Sequence, residues 1–360
     1  MADLEKARNL AALVRFNEDR ASDDIAESFE FTDHRDAMLR HGLLISEALT
    51  PVLEERLAEV CDRLFIPRES VSAFVHNSAD VQADCLIDSP STCVLRFTSG
   101  LVNLMDAKEF QFVAAHELGH FLLNHGACNQ YKEKGSAQEF MTQRARELSA
   151  DRVGFLGVDN LDESIQAIIK TASGLGDEFL RFDVASFVSQ GDMLSKPERG
   201  ESSNSTHPSM LMRCRALLWF SMQVQGQKEL CDIQRDVVDK IDRRVQVDLE
   251  RFVDGHVRLR NKELEEDVVL WKSCELTIHA GAFSKDIQNR MSEQLGQSNV
   301  DSLKSFFGMF SSDDLLNEVS SRLTNAINSL HEAFPDTAQE QEDRAFAKAY
   351  GIVEGRDVTQ

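Results

Sequence analysis

The feature that most constrains this chain is five residues long: His116-Glu117-Leu118-Gly119-His120. On an α-helix, positions four apart lie about 40° from each other around the axis, so the two imidazoles project the same way. Two imidazoles at that spacing can hold one zinc ion through nitrogen. Glu117 then sits beside the open metal position. There a carboxylate accepts a proton from a zinc-bound water and passes it to the leaving amine. The plainer reading is an ordinary amphipathic helix with two satisfied histidines, and a third ligand decides between the two.

Downstream runs Arg144-Ala145-Arg146-Glu147-Leu148-Ser149-Ala150-Asp151, inside a helix expected over 137–155. Glu147 and Asp151 are four apart and share a face. Glu147 is the candidate that completes a site of two histidines and one glutamate. Asp151 is the candidate acceptor for the second N–H of a ligand histidine. Alone, the two carboxylates also read as a solvated face paired with Arg144 or Arg152. His125 lies nine residues after His116, about 180° round a continued helix, and is expected to face away. Leu123 and Gly126 also break the longer H-E-x-x-H-x-x-G-x-x-H pattern, so no third histidine ligand is expected there. The third element is Thr206-His207-Pro208, followed by Arg213. Proline suits a first helical turn, which puts His207 at a loop-to-helix junction. A histidine or arginine beside a metal can stabilise an oxyanion.

Around these motifs the chain alternates between a few strand-like runs and many helical ones. Pro51 opens a helix with apolar positions Val52, Leu53, Leu57, Val60 and Leu64. Val71–Val75 and Cys93–Thr98 read as strands, with a further strand expected over 82–88. Asp106 and Glu109 form a capping-box pattern at the start of the metal helix. More helices are expected at 161–172 and 208–224. Residues 1–39 read as a polar, partly helical lead-in. From 226 to 360 the pattern is charged and helical, and an apolar stripe at Leu315, Leu316, Val319, Leu323, Ile327 and Leu330 predicts packing within the chain.

Bulk properties exclude several classes. Of 360 residues 42% are apolar and 28% charged, enough for a real core. The net charge of −22 opposes nucleic-acid binding and docking on anionic lipid. No stretch has the roughly 20 apolar residues of a membrane span, and the N-terminus has no signal-peptide pattern. Seven scattered cysteines without a C-x-x-C pair suit reduced thiols in a cytoplasm.

Taken in order, His116-Glu117-Leu118-Gly119-His120, Glu147-Leu148-Ser149-Ala150-Asp151 and Thr206-His207-Pro208 with Arg213 resemble the HtpX-like and CAAX-prenyl-protease-like gluzincins, peptidase family M48. The resemblance covers residues 40–225. It implies an α+β, mostly α fold: a minimal gluzincin-type domain with a small sheet over 40–225. The all-helical region over 226–360, read from its own charged pattern, lies outside the resemblance. The resemblance implies one zinc ion per chain held by His116, His120 and Glu147. Glu117 would be general base and acid, Asp151 would support a ligand histidine, and His207 and Arg213 would orient the site or stabilise the transition state. An extended protein or peptide substrate would lie along an edge strand drawn from residues 82–98. Many members carry transmembrane helices, which this chain lacks, and Gln82-Ala83 stands where members often have Asn-Ala. The expected function is a cytoplasmic zinc endopeptidase. The alternative is a latent or inactive domain of that fold serving regulation or binding, with 226–360 covering the cleft, dimerising or recruiting a partner.

Overall fold

A computed structural model describes residues 2–16, 34–125, 137–181, 183–190, 209–224, 233–252, 255–281, 283–335 and 337–355. His207 and its neighbours Thr206 and Pro208 lie outside the described residues. The chain divides into two compact units, residues 1–130 with 141–253, and residues 131–140 with 254–360. The fold is α+β and mostly α.

The first unit begins with α1 (Ala2–Val14), α2 (His34–Leu39), the short β1 (Leu43–Leu44) and α3 (Pro51–Arg63). Proline opens α3 as the sequence predicts. Strands β2 (Val71–His76), β3 (Ala83–Ser89) and β4 (Thr92–Thr98) complete a four-stranded sheet. Its order is β1-β2-β4-β3, with β2 parallel to β4 and both outer pairs antiparallel. β4 is central, and Cys93, Val94, Leu95 and Phe97 are buried on both of its faces. β3 is an edge strand whose register sets Ala83 opposite Phe97 and Cys85 opposite Leu95. Then follow α4 (Ser99–Leu104), α5 (Ala107–Leu122), α6 (Ala137–Val158), α7 (Leu161–Ser173), α8 (Val184–Ser189), α9 (Met210–Val224) and α10 (Arg235–Phe252).

α5 is apolar nearly all round, which makes it an interior helix. From Glu109 to Leu122 every residue but His120 is buried. It packs on β3 and β4 and against α3 and α7. Its crossing with α6 is set by small residues. A Cβ added at Gly157 would lie 2.4 Å from the Ala115 Cβ, and one at Gly119 would lie 3.1 Å from the Ala150 Cα. Only glycine lets the two backbones approach so closely.

Two readings of the sequence change at the edges of this unit. The lead-in is helical but not merely polar: Leu4, Ala7, Leu10, Ala11 and Val14 of α1, with Phe16, are core residues. α10, beyond residue 226, falls in the first unit, where Val238, Ile241, Val245 and Leu249 join the same core. A buried cation ties these pieces to α6. Arg152 donates to the Val14 carbonyl at 3.0 Å, pairs with Asp242 at 2.7 Å, and lies 5.2 Å from both the Phe16 and Phe220 ring centroids. Ser149 Oγ accepts the Phe16 N–H at 3.0 Å.

The second unit holds α11 (Gly255–His279), α12 (Lys285–Leu295), α13 (Gln297–Phe307), α14 (Ser312–Ala333) and α15 (Ala338–Glu354). α11 packs against α14 and α15, and α12 against α13 and α15. The stripe on α14 turns inward, with Val319, Leu323 and Leu330 buried. Among the described residues, no helix is long and apolar enough to cross a membrane.

Candidate active site

The site starts with a well-formed helix end. Asp106 Oδ1 accepts the N–H groups of Lys108 and Glu109 at 2.8 and 2.9 Å, and Glu109 Oε2 accepts the Asp106 N–H at 2.8 Å. This capping box fixes the phase of α5. Three turns later His116 and His120 stand one above the other, as spacing requires. α6, held against α5 at its glycines, brings Glu147 opposite.

Donor atoms of three side chains converge. His116 Nε2 and His120 Nε2 are 3.2 Å apart. Glu147 Oε2 is 3.6 Å from His116 Nε2, and Glu147 Oε1 is 3.5 Å from His120 Nε2. A tetrahedral ion with bonds of about 2.0–2.2 Å has ligand-to-ligand edges of about 3.3–3.6 Å; the two histidine-to-carboxylate distances, each to a different Glu147 oxygen, fall in that range, and the histidine-to-histidine distance is slightly shorter. The donor chemistry agrees. His116 Nδ1 lies 3.0 Å from Asp151 Oδ1. Donation of Nδ1–H to that carboxylate leaves Nε2 a bare lone pair aimed at the other two donors. Such a group of electron-pair donors fits a small divalent cation.

Arg213, from α9, holds Asp151 with two hydrogen bonds, Nε to Oδ2 at 2.8 Å and Nη2 to Oδ1 at 2.5 Å. Its Nη1 lies 4.0 Å from Glu147 Oε2. The buried charges shift one another. Burial favours the neutral form of Asp151, but the Arg213 charge and hydrogen bonds overcome it and hold the carboxyl below its usual range. Burial lowers His116, yet Asp151 and Glu147 raise it overall. His120 falls well below the usual histidine value, through burial first and then its histidine neighbours. Glu117 is buried, and in the metal-free protein burial and the negative charge of Glu147 push its carboxyl up to about 7.

Glu117, His116, His120 and Glu147 open into a cleft of about 640 Å³. One wall is the β3 edge with the residues before it, Gln82 to Cys85. Another is apolar, with Leu101, Phe112, Val113 and Ile168.

The structure corrects one expectation. His125 does not face away. α5 stops at Leu122, so the helical angle no longer applies, and the chain folds back to bring His125 Nδ1 within 2.7 Å of His120 Nδ1. A helix-ending asparagine at position 124 is the sequence signal for this return.

Residues 47–143 match the model of Peptidase family M48. The matched segment runs from just before α3 into the start of α6. It holds β2, β3 and β4 with His116, Glu117 and His120, and stops short of Glu147, Asp151 and Arg213. No curated protein and no solved structure matches the chain.

Proposed function

From the match of residues 47–143 to Peptidase family M48 we propose that the chain is a member of that family and a zinc-dependent endopeptidase acting on protein or peptide substrates. The observation that carries this reading is the convergence of His116 Nε2 and His120 Nε2, 3.2 Å apart, on the Glu147 carboxylate, with Oε2 3.6 Å from His116 Nε2 and Oε1 3.5 Å from His120 Nε2, opening into the cleft that Glu117 lines. These three residues would hold one zinc ion. Bound there, zinc supplies Lewis acidity that makes a water nucleophilic near neutral pH and polarises the scissile carbonyl.

The remaining roles belong to the chain's own side chains. The Glu117 carboxylate takes the proton from the attacking water and delivers it to the leaving amine. Asp151 keeps the His116 proton on Nδ1, and Arg213 holds Asp151 in place, so we assign Arg213 to positioning. We assign His207 to stabilising the oxyanion. The backbone of β3, with one edge unpaired among the described strands, offers main-chain hydrogen bonds to an extended substrate. We place the protein in the cytoplasm. The five described cysteines are free thiols, which suits a reducing compartment.

Zinc content and casein cleavage, measured on wild type and Glu117→Gln, test this reading. Both proteins should hold about one zinc per chain, and the variant should lose about 10²-fold or more of the cleavage rate. Wild type without zinc overturns the site. Zinc in both with cleavage in neither overturns the peptidase reading and favours a latent or binding domain.

A further inference from the structure

α5 ends in a defined cap. Asn124 has φ 57°, the left-handed conformation that asparagine tolerates better than most residues. Its N–H donates to the Phe121 carbonyl at 3.2 Å, and the His125 N–H donates to the His120 carbonyl at 2.9 Å. Those two bonds define a Schellman motif. The motif packs the residue after the left-handed one back onto the residue five before it. That contact is usually between apolar side chains; here it joins two imidazoles. Their centroids are 4.9 Å apart, their planes cross at 70°, and the two Nδ1 atoms are 2.7 Å apart.

Two ring nitrogens at that distance need one proton between them, one donating and the other accepting. The far nitrogen of His120, Nε2, points at His116 Nε2 and Glu147. To bind a cation it must keep its lone pair, so the His120 proton belongs on Nδ1. His120 Nδ1–H then donates, and the neutral His125 Nδ1 accepts. His125 contacts the side of the ring that faces away from the donor triangle, so it is not itself a ligand through that atom.

We propose that His125 is a positioning residue that fixes the tautomer and ring orientation of His120 for zinc, as Asp151 does for His116. The inference rests on the zinc reading above. The two ligand histidines are thus supported differently. His116 leans on a carboxylate carried by another helix, and His120 on an uncharged imidazole supplied by the cap of its own helix.

The test is zinc affinity of the full chain, by competition with a chelator of known affinity. His125→Leu fills similar space without an acceptor. His125→Asn puts an amide oxygen near the former Nδ1. Loss of such a supporting hydrogen bond costs about 10–100-fold in metal affinity. His125→Leu should lose that much, and His125→Asn should recover most of it, with metal-free melting temperatures of the two variants alike. Wild-type affinity in His125→Leu overturns the proposal, as does an Asn variant as weak as Leu. A direct reading needs no variant. In zinc-loaded protein with ¹⁵N-labelled histidine, His120 should carry its proton on Nδ1 and His125 Nδ1 should carry none. The reverse pattern overturns the proposal even if His125→Leu fails to fold. Wild type that binds no zinc sinks the function reading and this inference together. Wild type that binds zinc while His125→Leu binds it equally well sinks the inference alone.

Discussion

The buried polar side chains described in residues 254–360 are Ser273, Thr277 and Gln341, all uncharged. The unit formed by residues 1–130 and 141–253 buries Glu109 with Lys170 and Arg152 with Asp242, and it buries Asp151, which pairs with the partly exposed Arg213, besides His116, Glu117 and Glu147. Taking an ion from water costs several kcal/mol, and a partner returns that only in good geometry. The helical unit avoids the cost and packs by amphipathic stripes. The site-bearing unit accepts it repeatedly, and most densely along one stretch of α6, where Arg144, Arg146, Glu147, Asp151 and Arg152 are all buried within nine positions. A charge held in a low-dielectric interior by several fixed partners cannot wander, and that rigidity is what a metal site asks of its surroundings.

The contrast breaks most clearly at Arg152. Replacing it with Met leaves the Asp242 carboxylate buried, a loss of about 3–5 kcal/mol for a broken buried pair. Arg235 Nη2 at 3.4 Å from Asp242 favours the lower end. Denaturant unfolding of the full chain measures it, and a loss under about 1 kcal/mol would mean these buried ions are as dispensable as surface ones.

Next in size is the pH response of Glu117 in metal-free protein. Its carboxyl is raised in the fold to about 7, so its stabilising contribution is complete below the unfolded value and is lost as pH rises through about 7. Moving from pH 5 to pH 8.5 should cost wild type about 3 kcal/mol more than Glu117→Gln, from about 1.4 kcal/mol for each pH unit between the folded and unfolded values. Melting of both proteins at the two pH values reads this difference. Equal losses would place the Glu117 carboxyl in an ordinary environment.

The smallest effect is expected in the helical unit. Glu265 of α11 pairs with Arg344 at 3.4 Å and with Lys348, both half-exposed side chains of α15. Glu265→Gln should cost less than about 1 kcal/mol. A cost near that of Arg152→Met would erase the distinction between the units.

Much of this was legible in sequence because the signals are local. Asp106 and Glu109 announce the start of α5, Pro51 that of α3, and the β-rich runs near 71 and 93 the parallel pair at the sheet centre. Shared helical phase pairs His116 with His120 and Glu147 with Asp151; that the two pairs meet is what the family resemblance implies. What stayed hidden depends on where a local pattern stops or on weak apolar contrast. Angular spacing places His125 on a helix that Asn124 ends. α1 buries Ala7 and Ala11, whose small side chains leave only Leu4, Leu10 and Val14 to mark the inward face. The charged pattern of α10 gave no sign that its apolar face belongs with the first unit's core.

The crossing of α5 and α6 bears on which ion the proposed zinc site would accept. A cation is discriminated by bond length, about 2.0–2.2 Å for zinc with nitrogen and oxygen and about 2.3–2.6 Å for calcium with oxygen. To widen the triangle, the helix bearing the histidines must separate from the helix bearing Glu147, or the side chains must leave their rotamers. To narrow it, the helices must close further, yet Gly157 already leaves no room for a methyl group beside Ala115. A lower limit on the size of the ion that the proposed zinc site would take is therefore written in close helix contact at Ala115, the residue next to His116.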